Sequence, residues 1–184
     1  MTPGWHWLPN IVTFLRIVLI VPFAVALYDG QYMLALVLFF VAGLSDGVDG
    51  FLARHFNWFS RLGSIADPIA DKALLVTAYV MLTLTGLLPL WLLVVVVVRD
   101  LLIVSGAVAF HIWIGRYDMK PSFLGKLNTF VQIIFALSVI MALAGIAMPD
   151  LVVRGGLWAV AAMAVLSGGH YIILWGLKAW RETR

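Results

Sequence analysis

Six apolar runs, each about as long as a bilayer is thick, follow one another with short gaps and leave little chain over. They fall near residues 11–28, 32–53, 65–86, 89–114, 123–146 and 151–177. A helix crosses the hydrocarbon core with roughly 20 predominantly apolar residues. The chain has 184 residues, 64% hydrophobic and 11% charged, with a mean hydropathy of +1.06. Soluble domains run near half apolar and a quarter charged. One small core cannot hide this excess, so the bilayer must serve as solvent. Runs such as 94–98 are all valine and prone to β structure in water, but in lipid only a helix or a closed barrel satisfies its own backbone. The runs are also too long and too evenly apolar for barrel strands. The expected fold is an all-α membrane protein: six transmembrane helices in a single domain, 1–184, with a short interfacial helix opened by Trp5 and Trp7.

Breaks are expected at Asp29-Gly30, at 55–63, at 86–89, at 115–121 and at 148–150. Basic residues then set the orientation. Arg54 and Arg61 flank the second connection; Arg116, Lys120 and Lys126 surround the fourth. Lys178, Arg181 and Arg184 end the chain, whereas the opposite loops offer Arg154. Both termini should therefore be cytoplasmic; a bacterial inner membrane is the expected location. The opening MTPGWHWLPN lacks a positive n-region, so no cleavable signal peptide is expected. Cysteine is absent, which removes disulfides and thiolate metal ligands. The net charge of +3 is spread along the loops, which argues against nucleic acid as a partner.

Charged side chains within membrane spans are costly and mark function by default. Four of the nine acids, Asp46, Asp49, Asp67 and Asp71, lie at the facing ends of the second and third runs. Spacings of three and four put each pair on one helix face. A short connection makes the two helices antiparallel neighbours, so the pairs can converge. Crowded carboxylates in a low dielectric must protonate or bind cations. All-oxygen ligation selects hard ions such as Mg²⁺ or Mn²⁺, and four carboxylates suffice for two of them. Gly50 and Ala53 keep the helix surface beside the acids small, and Arg54 can reach a diphosphate there. Ser64 suits an N-cap of the third helix, and Pro68 is tolerated in a first turn. A proton relay or cation channel would also place acids in the membrane. It has no reason to hold these glycine, alanine and arginine spacings.

The pattern Asp46-x2-Asp49-Gly50-x2-Ala53-Arg54-x8-Gly63-x3-Asp67-x3-Asp71 resembles, at all eight fixed positions, the signature of the CDP-alcohol phosphotransferases. The resemblance implies a six-helix fold, homodimeric, with a polar cavity open to the cytoplasm. It also implies two divalent ions on Asp46, Asp49, Asp67 and Asp71, with Asp71 as general base. Gly50, Ala53, Arg54, Ser60 and Gly63 would bind the CDP-lipid, joined by Pro9, Asn10 and Thr13 from the first helix. The implied reaction transfers a phosphatidyl group from CDP-diacylglycerol to an alcohol and releases CMP.

Arg99 and Lys126 are the expected acceptor contacts. A cation near a helix N-terminus opposes the dipole, which suggests a phosphate near Lys126; snorkelling to lipid headgroups fits Lys126 as well. Phosphatidylglycerophosphate synthases carry a second Arg-Glu pair eight residues after the first, suited to glycerol 3-phosphate. Here Arg99-Asp100 is followed by Ala107-Val108 at that place. The segment 119–129 instead resembles eukaryotic-type cardiolipin synthases, so phosphatidylglycerol is the expected acceptor, with glycerol 3-phosphate as the alternative. His55, His111 and His170 each stand alone and are expected to pack rather than catalyse.

Overall fold

The computed structural model describes residues 8–56, 63–113 and 122–182, with side chains described within 14–45, 69–106 and 122–174. The described residues form six helices and no strand: α1 (Leu8–Tyr28), α2 (Tyr32–Phe56), α3 (Gly63–Leu84), α4 (Leu90–Trp113), α5 (Phe123–Leu143) and α6 (Asp150–Glu182). Among them, Phe123–Leu143 and Asp150–Leu174 are each long and apolar enough to cross a membrane; Phe14–Tyr28 and Tyr32–Ser45 are shorter apolar stretches. The expected N-terminal interfacial helix at Trp5 and Trp7 lies outside the described residues, as do Ser60, Arg61, Arg116 and Lys120.

Three connections end their helices in the same way. Gly30, Gly86 and Gly145 have φ of 73°, 77° and 82°, a region open to glycine because it has no Cβ. Each donates its N–H three residues back, to Leu27, Thr83 and Ala142, and the following residue donates five back, to Ala26, Leu82 and Met141. This is the Schellman arrangement, which satisfies carbonyls that a helix end leaves without partners. The third of these corrects the expected boundary: α5 stops at Leu143, not near 146, because Gly145 closes it. Ser64 is not an N-cap, since α3 already begins at Gly63.

The chain forms two compact units, Met1–Leu87 with Val139–Ala147, and Leu88–Ser138 with Met148–Arg184. In the first, α1 lies against both α2 and α3. Phe23, Ala26 and Leu27 of α1 are buried, as are Ala35, Phe39 and Ala42 of α2 and Ala70, Leu74, Ala78 and Leu82 of α3. The alanines let helix backbones approach closely, the usual solution where lipid supplies no hydrophobic drive between helices. Phe23 and Phe39 meet with ring centroids 5.7 Å apart.

In the second unit α4 packs on α6. Leu92, Val96 and Arg99 form the buried stripe of α4; Val160, Ala164 and Ser167 form that of α6. Trp91 and Trp158 meet at a tilt at one end, with ring centroids 5.5 Å apart. Helices in both units also turn large apolar side chains outward, among them Phe14, Val21, Leu44, Phe130, Val165 and Ile173. Such faces suit lipid, and together with the two membrane-length helices they mark a membrane-associated protein.

Candidate functional site

The first unit gathers the expected nucleotide and metal residues at helix ends. Pro9, Asn10 and Thr13 occupy the opening turns of α1; Asp46, Asp49, Gly50, Ala53 and Arg54 occupy the last turns of α2; Gly63 and Asp67 open α3. The tight turn at Gly30 folds α2 back along α1, so the start of α1 and the end of α2 fall at one end of this unit. The side chains of these residues lie outside those described, so their placement is that of their helix backbones.

Asp71 stands one turn further along α3 with a described side chain. It is half-exposed, and its Oδ1 accepts a hydrogen bond from Arg16 Nη1 of α1 at 2.6 Å. Arg16 has no exposed surface at all. The guanidinium is thus inside the unit while the carboxylate reaches out of it, an arrangement that fixes the orientation of Asp71. Charge-assisted bonds of this length are among the strongest available to side chains.

The second unit holds a cavity of about 460 Å³ lined by Arg99, Ile103, Gly125, Lys126, Thr129, Phe130, Ile133 and Tyr171. Both expected acceptor contacts, Arg99 and Lys126, therefore border one space. Arg99 is buried; its Nη1 donates to Asp100 Oδ1 at 3.0 Å and its Nη2 to Ser167 Oγ at 2.6 Å. Its Nε is buried with no hydrogen-bond partner. Lys126 is exposed, in the first turn of α5. The Ser122 side chain caps that turn, accepting from Gly125 N–H at 3.1 Å. Ala107 and Val108 lie in α4 beyond the described side chains.

Residues 6–172 match the model of the CDP-alcohol phosphatidyltransferase family. The chain belongs to this family. It is 36% identical over 132 residues to a probable phosphatidylglycerophosphate synthase of Mycobacterium tuberculosis, a match spanning 68% of this chain and 61% of that one. It is 34% identical over 143 residues to the human cardiolipin synthase (CMP-forming), spanning 69% and 48%. It is 32% identical over 178 residues to the cardiolipin synthase (CMP-forming) of Streptomyces coelicolor, spanning 96% and 72%. The chain thus spans less than two-thirds of the mycobacterial and human proteins that it matches. The matched family region contains all four motif aspartates, Arg16 and every residue lining the cavity.

Three site features were not foreseen from sequence: the Arg16–Asp71 pair, the Ser167 bond to Arg99 and the Tyr171 lining. Arg16 and Asp71 stand 55 residues apart and Ser167 and Arg99 68 apart, so no local pattern joins them. A polar Ser167 and Tyr171 at i, i+4 in an otherwise apolar helix was the available signal. His170, between them, is half-buried, and no cluster of three or more metal-ligating side chains occurs among the described residues.

Proposed function

We propose that the protein transfers the phosphatidyl group of CDP-diacylglycerol to the terminal headgroup hydroxyl of phosphatidylglycerol, giving cardiolipin and CMP. The observation that carries this reading is the aspartate motif on α2 and α3, with Asp71 held outward by the buried Arg16. The donor set is carboxylate only, which suits hard divalent ions. Asp46, Asp49, Asp67 and Asp71 would hold two such ions, Mg²⁺ or Mn²⁺, which when bound neutralise charge on the diphosphate. Arg54 holds the diphosphate, and Gly50, Ala53, Ser60, Gly63, Pro9, Asn10 and Thr13 line the CDP site. Asp71 accepts the proton of the acceptor hydroxyl. The acceptor oxygen bonds to the phosphorus carrying the diacylglycerol as the bond from that phosphorus to CMP breaks.

The choice of acceptor is supported by charge in the second unit. Arg99 faces Asp100 at 3.0 Å, so among the described lining residues Lys126 carries the surplus positive charge. One surplus charge matches a phosphodiester monoanion better than a phosphate monoester, which carries up to two. Ile103, Phe130 and Ile133 add the apolar wall a lipid acceptor needs. Six helices of 21 to 33 residues support six spans, the family match over residues 6–172 supports a single family domain, and the basic loops support cytoplasmic termini. The homodimer rests on the family resemblance.

The test is CMP release by the purified protein in detergent with Mg²⁺ and CDP-diacylglycerol. Release should require an added alcohol acceptor, and D46N, D49N and D67N should each abolish it while the proteins remain folded. Near wild-type transfer by D67N would remove the aspartate assignment.

A further inference from the structure

Helix α6 reaches both cationic elements of the cavity from a single face. Ser167 and Tyr171 stand four residues apart, so they lie one above the other on that helix. Ser167 is fully buried and accepts from Arg99 Nη2 at 2.6 Å. Tyr171 Oη accepts from the backbone N–H of Ser122 at 3.0 Å. Ser122 in turn caps the first turn of α5 through Gly125 N–H, and Lys126 is the next residue. A Cβ at Gly125 would lie 3.1 Å from Tyr171 Oη and 3.2 Å from Ser122 Oγ. Glycine is therefore what lets the tyrosine hydroxyl sit against this turn.

We propose that Ser167 and Tyr171 are positioning residues that determine acceptor affinity: Ser167 fixes the end of the Arg99 guanidinium, and Tyr171 fixes the turn that carries Lys126. This rests on the reading of the cavity as the acceptor site. The ligand chemistry is a phosphate anion. Arg99 keeps one buried donor, Nε, without a partner, and a buried donor left so is costly until an acceptor reaches it. A phosphate oxygen satisfies that donor only if the guanidinium plane is held, because the donors of arginine form a rigid fork. Asp100 holds one edge of the fork and Ser167 the other. Loss of Ser167 lets the plane turn about its remaining bond; loss of the Tyr171 hydroxyl releases the capped turn and with it the position of Lys126. Neither residue belongs to the aspartate machinery, so both act on acceptor capture and not on the transfer step.

The measurement is steady-state transfer by the purified protein with CDP-diacylglycerol, varying phosphatidylglycerol in one arm and glycerol 3-phosphate in the other. S167A should raise KM for the acceptor about tenfold, the scale of one hydrogen bond to a charged group, and Y171F about threefold to tenfold, the scale of one neutral hydrogen bond. KM for CDP-diacylglycerol should stay within about twofold, and S167T, which restores a hydroxyl, should recover most of the loss. The arm in which KM moves identifies the source of the phosphate, a lipid diester or a free monoester. Unchanged acceptor KM in both arms, or an equal rise in both substrates' KM, overturns the proposal. Y171F keeps the ring and its packing, so its KM decides the question if S167A fails to fold. A wild-type protein that releases no CMP with either acceptor would refute the transferase reading, and this proposal with it.

Discussion

Arg16 of α1 and Asp71 of α3 are bound Nη1 to Oδ1 at 2.6 Å, with the arginine fully buried and the aspartate half-exposed. The asymmetry matters for both stability and chemistry. A buried guanidinium is expensive unless a carboxylate compensates it. Asp71 is a carboxylate that does so, and it is also the group proposed as the base, so one contact would both support the helix pair and aim the reactive group.

Substitutions at Asp71 should therefore separate folding from catalysis. D71A removes one charge-assisted hydrogen bond to a buried arginine and should cost on the order of 2 kcal/mol. D71N keeps an acceptor oxygen for Arg16 and should melt between D71A and wild type while releasing no CMP. Thermal unfolding in detergent beside a transfer assay checks both. Equal melting temperatures for D71A and wild type would show that the pair contributes little.

Gly156 should be intolerant of even one methyl group. A Cβ there would come 2.5 Å from Phe135 Cδ2, and Phe135 is buried, so its ring must shift. G156A should destabilise the second unit by about 1–3 kcal/mol, the usual range for overpacking. A melting temperature unchanged from wild type would mean that the ring moves freely.

Much of this fold was legible because glycine, proline and charge punctuate it. Asp29-Gly30 and the stretch 86–89 marked two of the three glycine-closed turns. The end of α5 was misplaced because Met148–Asp150 reads as a break while Gly145 acts earlier. Which face of each helix is buried was far less legible. Largely apolar helices carry little amphipathic period, so in α6 the polar pair Ser167 and Tyr171 is the one mark of its buried side. The four aspartates stood out because charge within apolar runs is rare. Arg16, the partner of Asp71, also lies within an apolar run, but pairing across 55 residues is a tertiary fact.

The basic loops give a prediction about topology. Single cysteines placed at Ser60 and Tyr117, in a chain without native cysteine, should both react with an impermeant maleimide only from the cytoplasmic face. Reaction of either from the opposite face would overturn the six-span arrangement.

Purified protein should be given CDP-diacylglycerol and Mg²⁺ with labelled phosphatidylglycerol or labelled glycerol 3-phosphate, and products and CMP counted together. Cardiolipin and CMP should appear in equal amounts from phosphatidylglycerol, with much slower turnover of glycerol 3-phosphate. Phosphatidylglycerophosphate formed at a comparable or greater rate would contradict this acceptor assignment.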